Sequence, residues 1–540
     1  MIELPPIDAW VERPDDVEAW QRFVGNEAWS PLALALAALE KRQEIRRILV
    51  EGDDALPEPC RGFSKVRRIP HSTLDDIPMR EAARRLAAFG APTTCHGLNF
   101  LTEFCTFGNP HRALAACEAG SADDTAPLLL IVGAHTAALT DQALEIVLAQ
   151  AERRGFLDPA YFAEGPRGMF PILWNLNGLR DCAAHNLSPA FFFQRISGVR
   201  GNVLGPAPST VKRARLSFSL AEPAGRTLAN ATAKALGERL NSASLEDWIN
   251  QARGMPESVR GTMPLDLDIE VTPKRPFLAS WLPNPSDGKA EMRVEGFERI
   301  LDQIPPEQGV VLTLGGFGDA LLHPEIERLI SIARPHVRGL AIKTFALDVA
   351  RFQSLAALGV DIVQWRLGIW QGDWAGFNGV TDGTRFDDFA APLVEIAKLQ
   401  EGEAIRRPML IPEVVKSFAG DKTLLDFYTF CRESGLHMQV TPLARFAGTL
   451  SSDQATTPIA GERPSCLRLE SQMTVLADGL VPPCTQLAAI GESIGSAFET
   501  SLSELWQSVA LSNMLAAHRS QRPADAHPAC ADCSEWCRLS

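Results

Sequence analysis

Five of the eleven cysteines in this 540-residue chain lie in its last 75 residues, and their spacing constrains the fold more tightly than any other feature. Cys466 stands before, and Cys484 just after, a segment that reads as a hairpin: Gln472 to Leu476, the turn Ala477-Asp478-Gly479, then Leu480-Val481. Aspartate followed by glycine between apolar runs signals such a turn, because glycine accepts the positive φ that it needs. Cys530 and Cys533 form a tight pair, with Cys537 close behind. A hairpin with a thiolate at each end and a hook carrying two more can surround a metal centre from two sides. A mononuclear zinc ribbon normally uses two tight cysteine pairs. Here seventeen residues separate the first pair, which suits a larger object, a cubane held by four thiolates. A structural zinc knot and scattered buried thiols are the plainer alternatives.

The words between these cysteines follow a known pattern. Ile490-Gly491-Glu492 is followed by Ser501-Leu502-Ser503-Glu504-Leu505-Trp506. Ser501 and Glu504 have the spacing of a capping box, and Leu502, Leu505, Trp506 and Val509 share one helical face. The segment resembles the C-terminal auxiliary-cluster domain of radical S-adenosylmethionine (SAM) enzymes, called SPASM in its long form and twitch in its short form. The resemblance implies the short form with one 4Fe-4S cluster. It makes Cys466, Cys484, Cys530 and Cys533 the ligands, with Cys537 a spare or alternative.

Length predicts about three or four domains. With 46% apolar and 22% charged residues the composition is that of a globular protein. A net charge of −14 leaves no basic stripe to neutralise phosphates, so no nucleic-acid partner is expected. No run approaches the ~20 apolar residues of a membrane span. The acidic, proline-bearing start has no leader-like pattern. Cysteines clustered at one end point to metal chemistry in a reducing, cytoplasmic setting rather than to disulfides.

From Pro264 to about Gly448 short β-rich runs alternate with helical patterns, as in βα units. Strands are predicted at 265–271, 310–314, 340–344, 361–367, 408–416 and 437–442, with helices near 323–333, 348–358, 386–399 and 422–433. Six such units make a partial barrel. Leu265-Asp266-Leu267-Asp268-Ile269-Glu270-Val271-Thr272-Pro273 resembles the first strand of a radical SAM core. Gly316-Phe317-Gly318-Asp319-Ala320-Leu321-Leu322-His323-Pro324-Glu325 resembles the glycine-rich strand end that holds the methionyl part of SAM, which makes Gly316, Gly318 and Asp319 the cofactor-binding candidates. The pattern breaks where three closely spaced cysteines would grip the reactive cluster. Those positions are Arg275, Ala279 and Leu282, and no cysteine occurs between Cys182 and Cys431. The expectation is a core that binds SAM without cleaving it, or one whose pocket has been repurposed or filled. Lys274 and Arg275 could mark an anionic ligand, but such an isolated pair reads first as a solvated surface feature. His323 reads as a cap or packing residue as readily as a catalytic one.

The N-terminal half has an αβ rhythm, with a buried strand at 127–133, a helix from Asp141 to about Arg154, and the words Gly165–Leu173 and Arg213–Ser219. In that order they resemble sugar-activating nucleotidyltransferases, and fusion to such a barrel is similar to the spiro-SPASM type. The acidic metal-binding turn of that family is replaced by Gly133-Ala134-His135, with Asp123, Asp124 and Asp141 as nearby acids. The expected organisation is therefore α/β throughout. It runs as a helical cap at 1–74, a degenerate nucleotidyltransferase-like domain at 75–245, a linker at 246–263, a radical SAM-like partial (β/α)6 TIM-type barrel at 264–450 and a SPASM/twitch domain at 451–540. The functional expectation is an iron-sulfur protein with one C-terminal 4Fe-4S cluster, acting in electron transfer or in an accessory or modifying role. Its partner would be a redox protein or a peptide or glycan substrate. The alternatives are a nucleotide-sugar or glycan-modifying transferase and a non-enzymatic scaffold.

Overall fold

The structure is a computed structural model. It describes residues 5–537 apart from 15–17, 19, 21–22, 24–28, 53–55, 72–76, 91–109, 121–125, 164, 186–203, 206, 213, 256–258, 277–278, 280, 371–385, 402, 404–405, 417–423, 451–462 and 464. The chain divides into two compact units, with the main boundary between Gly261 and Thr262.

The first unit is built on a seven-stranded sheet of β1 (Ile7–Val11), β2 (Ile45–Glu51), β3 (Val66–Ile69), β4 (Leu128–Val132), β5 (Ala160–Ala163), β6 (Ile172–Asn175) and β7 (Leu204–Gly205). The order is β3-β2-β1-β4-β6-β5-β7, and β6 alone among these runs antiparallel to its neighbours β4 and β5. The predicted buried strand is β4, five apolar residues with no exposed face, as a central strand covered on both sides requires. The helix that follows spans Asp141–Arg153, and Thr140 caps it by accepting from the Ala143 N–H at 3.1 Å.

Two expectations about this half need correction. Residues 1–74 are no helical cap, because they supply β1, β2 and β3. Within this supposed cap the helix Pro31–Glu40 gives way to a strand, where β-branched Ile45, Ile48 and Val50 take over. Asp8, set in the buried strand β1, accepts from Arg46 at 3.0 Å and Arg47 at 2.7 Å on β2, so its charge does not exclude it from the sheet. Nor is 246–263 a linker throughout. Ser244 and Asp247 form a capping box that starts the helix Leu245–Arg253, whose Leu245, Trp248, Ile249 and Ala252 are buried in the first unit.

The second unit carries all six expected barrel strands as β8 (Asp266–Ile269), β9 (Val311–Leu314), β10 (Gly339–Thr344), β11 (Ile362–Trp370), β12 (Met409–Lys416) and β13 (Gln439–Pro442). Consecutive members pair in parallel. A helix at Val294–Leu301 that the sequence reading missed packs between β8 and β9 in the chain. The sheet has a seventh strand, β14 (Gln472–Val475), which pairs with β8 in parallel. The C-terminal segment thus completes the half-barrel sheet, and one hydrophobic core runs from Leu267 and Phe297 to Trp506 and Leu515. The turn at Gly479 forms, with the Leu476 N–H donating to Leu480 at 2.9 Å. Its two arms do not pair as a hairpin ladder, however. β14 joins the barrel, while β15 (Leu480–Val481) pairs antiparallel with β16 (Gly495–Ser496). Among the described residues no helix is long and apolar enough to cross a membrane.

Candidate iron-sulfur site and the barrel interior

Three of the four expected ligand cysteines sit at the start of a short helical turn. Cys466 precedes Leu467–Ser471, Cys484 precedes Thr485–Ala488 and Cys533 precedes Glu535–Cys537. In each case the sulfur accepts from backbone N–H groups just downstream: Arg468 and Leu469 for Cys466, Gln486 and Leu487 for Cys484, and Glu535 for Cys533. Such donors favour a thiolate and tune a metal held by it. Cys530 lies in the turn Pro528–Ala531, its N–H bonded to the His527 carbonyl at 2.9 Å. Cys466 and Cys530 are buried, Cys484 and Cys533 nearly so.

The four sulfurs are near enough to act on one another. Burial pushes the thiols of Cys484, Cys530 and Cys533 up to about 12. The neighbouring cysteine charges add to the effect: Cys466 and Cys530 on Cys484, Cys466 and Cys533 on Cys530, Cys466 and Cys484 on Cys533. Burial raises Cys466 as well. A dry group of thiols with converging N–H donors is poised to exchange its protons for a multiply charged cation. The side chain of Cys537 lies outside the described residues, as do Asp123 and Asp124.

Behind these cysteines lies a buried clamp. Arg468, two residues past Cys466, binds Glu535, two residues past Cys533, through Nε at 2.8 Å and Nη2 at 2.7 Å. Arg468 also donates to Gln472, which donates to Asp266 on β8 at 3.1 Å. The clamp ties both halves of the cysteine set to the first barrel strand.

At the other end of β8 the positions of the missing cysteines are filled. Arg275 is not a surface residue. Its Nε donates to the Phe317 carbonyl at 2.7 Å, Nη1 to Leu282 at 2.8 Å and Nη2 to Pro283, and it lies 5.9 Å over the Phe345 ring. Burial, and after it the Arg366 charge, pulls its guanidinium down to about 10. Ala279 joins Trp281, Phe345, Val415 and Leu443 in an apolar cluster, with Leu282 against it. The Lys274 half of the expectation holds: its side chain is exposed and paired with Glu291 at 2.7 Å.

The glycine-rich word is equally committed. Asp319 is 1% exposed. Its carboxylate accepts from the N–H groups of Leu321 and Phe345, each at 3.0 Å, and from the Thr344 hydroxyl at 3.1 Å. Burial raises its pKa despite these donors. A Cβ on Gly318 would fall 1.8 Å from the Thr272 carbonyl oxygen, so the two loops are in close contact there. Gly316 gives its N–H to Asp268 at 2.9 Å and its carbonyl to Arg366 at 2.8 Å. His323 is a structural cap. Its Nδ1 accepts from the Glu325 N–H at 3.1 Å, which leaves Nε2 to donate to the Met292 carbonyl at 3.0 Å.

Inside the half-barrel a polar cavity remains. Asp268, Lys343, Gln364, Arg366, Glu413 and Thr441 line it from the strands, and Arg468, Gln472 and Glu535 from the C-terminal segment. Sequence reading missed these residues, because single charges inside strand runs carry no motif.

The family profile for SPASM, described as an iron-sulfur cluster-binding domain, matches residues 466–534. Residues 466–534 thus match the SPASM domain. Several solved structures resemble it over part of its length. Streptococcus suis SuiB bound to precursor peptide SuiA is 12% identical, covers 61% of this chain and 86% of its own, and has a TM-score of 0.40. BtrN in complex with AdoMet and 2-DOIA is 14% identical, covers 50% of this chain and 93% of its own, and has a TM-score of 0.35. Native anSMEcpe with bound AdoMet and Cp18Cys peptide is 13% identical, covers 47% of this chain and 84% of its own, and has a TM-score of 0.37. No curated protein matches the sequence.

In the first unit, strand order reverses between β1 and β4, where open α/β sheets usually bind ligands. The strand ends there are closed by a buried ion triad. Arg112 binds Glu12 at 3.2 Å and Glu51 at 2.6 Å, all three being 1% exposed. Glu12 also accepts from the Ala134 N–H at 3.0 Å. Burial raises Glu12 despite Arg112. The His135 ring fills the space a Cβ on Gly133 would take, 2.3 Å away. Thus the turn that would carry a nucleotide-binding metal holds packed protein among the described residues.

Proposed function

We propose that this chain is an iron-sulfur protein whose radical SAM half-barrel no longer cleaves SAM. In this reading one 4Fe-4S cluster is held at the C-terminus by Cys466, Cys484, Cys530 and Cys533. The observation that carries the first part is Arg275, whose guanidinium is committed to three carbonyls where the first cluster thiolate would stand. The second part is supported by the SPASM match and by four thiols close enough to perturb one another.

A cluster with four thiolate ligands supplies one-electron transfer and leaves no iron open to substrate. The chain's own residues then do three things: the downstream N–H groups hold the sulfurs as thiolates, the Arg468–Glu535 clamp fixes both halves of the set, and Arg275 seals the barrel loop. The role is electron transfer or support of a partner, a redox protein or a peptide, in a reducing compartment. Gly316, Gly318 and Asp319 shape the loop in this reading rather than grip SAM.

The deciding measurement is iron, acid-labile sulfide and zinc per chain on anaerobically purified protein, with SAM cleavage assayed under reduction. About four irons and no cleavage support the proposal. About eight irons, or cleavage of SAM, overturn the retired core. Zinc without iron overturns the cluster.

A further inference from the structure

The cavity inside the half-barrel is given no ligand in the reading above. Six charged side chains line it in three opposed pairs. Lys343 meets Asp268 at 2.7 Å and Arg468 meets Glu535 at 2.7 Å, both closed as charge-assisted hydrogen bonds. The third pair is open. Arg366 Nε lies 3.8 Å from Glu413 Oε2, beyond hydrogen-bond reach. Arg366 is only 7% exposed. Its Nη2 donates to Gly316 at 2.8 Å, its plane lies 5.4 Å over Phe345, and its Nη1 has no partner. Glu413 receives the Thr441 hydroxyl on Oε1 at 3.2 Å, and its Oε2 faces Arg366 across the gap.

A buried guanidinium with an unused donor, beside a carboxylate it does not touch, is costly until something completes both. We infer that the cavity binds a small zwitterion of amino-acid size, with its carboxylate on Arg366 and its ammonium on Glu413. Charge balance argues for both charges on one ligand. The lining carries equal numbers of cations and anions, so a lone anion or cation would leave one member of a buried pair uncompensated. The cavity volume, about 90 Å³, is several times the ~15 Å³ that one water requires. Trp281 and Phe446 give it an apolar wall for the rest of the molecule. The two anchoring residues stand on β11 and β12, so the site does not depend on the cluster assignment.

The test is calorimetric titration of the full-length, anaerobically purified protein with each of the common protein amino acids, and separately with propionate, ethylamine and SAM. At least one amino acid gives saturable heat, and propionate and ethylamine each bind about tenfold weaker or worse. Glu413→Gln and Arg366→Met each weaken binding by about tenfold or more, the loss of a charge-assisted contact. Glu413→Gln keeps the size of the side chain and decides the matter if Arg366→Met fails to fold. Three results overturn the inference: no saturable heat from any amino acid, equal binding of the singly charged analogues, or undiminished binding to Glu413→Gln. SAM displacing the amino acid also overturns it, and the SAM-cleavage assay separates that outcome from failure of the retired-core reading.

Discussion

Arg275 braces the loop after β8: it holds that loop against the Phe317 turn and the Leu282-Pro283 segment. Replacing it by methionine leaves those carbonyls without their donor while keeping most of the volume. The expected loss is about 2–4 kcal/mol of stability in the second unit, read as a lower denaturant midpoint; a change under ~0.5 kcal/mol would remove the bracing role. A second residue sets an acid limit. His518 is buried on the helix Val509–Arg519, and burial, with the Arg463 charge behind it, holds its imidazole down at about 4. The unfolded chain takes up that proton near pH 6.5. The stability contribution is therefore complete above about pH 6.5 and is lost as pH falls toward 4. His518→Gln is expected to flatten the decline of the urea midpoint between pH 7 and 4.5, and an unchanged slope would refute the assignment.

At the scale of elements, tight loop contacts and one shared strand set the architecture. Gly479 has φ +82°, and a Cβ there would meet the Phe498 ring at 2.4 Å. Gly318 sits against the Thr272 carbonyl at a distance no side chain tolerates. Gly479→Ala is expected to cost about 1–3 kcal/mol, visible as a lower midpoint of thermal unfolding. Gly318→Ala should exceed it, because its obstacle is backbone rather than a movable ring. An order reversed between the two would mean that the contact between the barrel loops can relax. β14 illustrates what spacing alone conceals. Gln472–Val475 has the alternation of a hairpin arm, yet its parallel register with Asp266–Ile269 makes it part of the barrel.

For the whole molecule, the division of hydrophobic cores predicts how it melts. The core of the first unit runs through β1, β2, β4 and the helix Leu245–Arg253. That of the second includes Cys466, Cys530 and Trp506 together with barrel residues such as Leu267 and Leu340. Calorimetry is expected to show two transitions. Cys484→Ala, or stripping iron with a chelator, should lower only one of them, and should lower it for the barrel and the C-terminal segment together. A third transition, or loss of the C-terminal segment with the barrel transition unmoved, would show that the cluster region folds as a separate domain.

Legibility from the sequence followed how local each signal was. The six barrel strands and the helices between most of them could be read because buried parallel strands are short apolar runs and their helices are amphipathic. The C-terminal domain was legible because cysteine spacing and the Ser501–Glu504 cap are fixed within a few tens of residues. The absence of thiolates at Arg275, Ala279 and Leu282 was as plain as their presence would have been. Tertiary structure decided the rest. It joined β1, β2 and β3 to a sheet whose other strands lie some 60 residues further on, compensating the charge of Asp8 with Arg46 and Arg47. It drew the half-buried Arg275 in from the surface by bringing the Phe317 carbonyl, from a distant loop, beside those of nearby Leu282 and Pro283. It also set Arg366 opposite Glu413 inside the half-barrel. Pairing of residues dozens of positions apart leaves no period or motif in the chain, so those contacts exist only once the strands are in register.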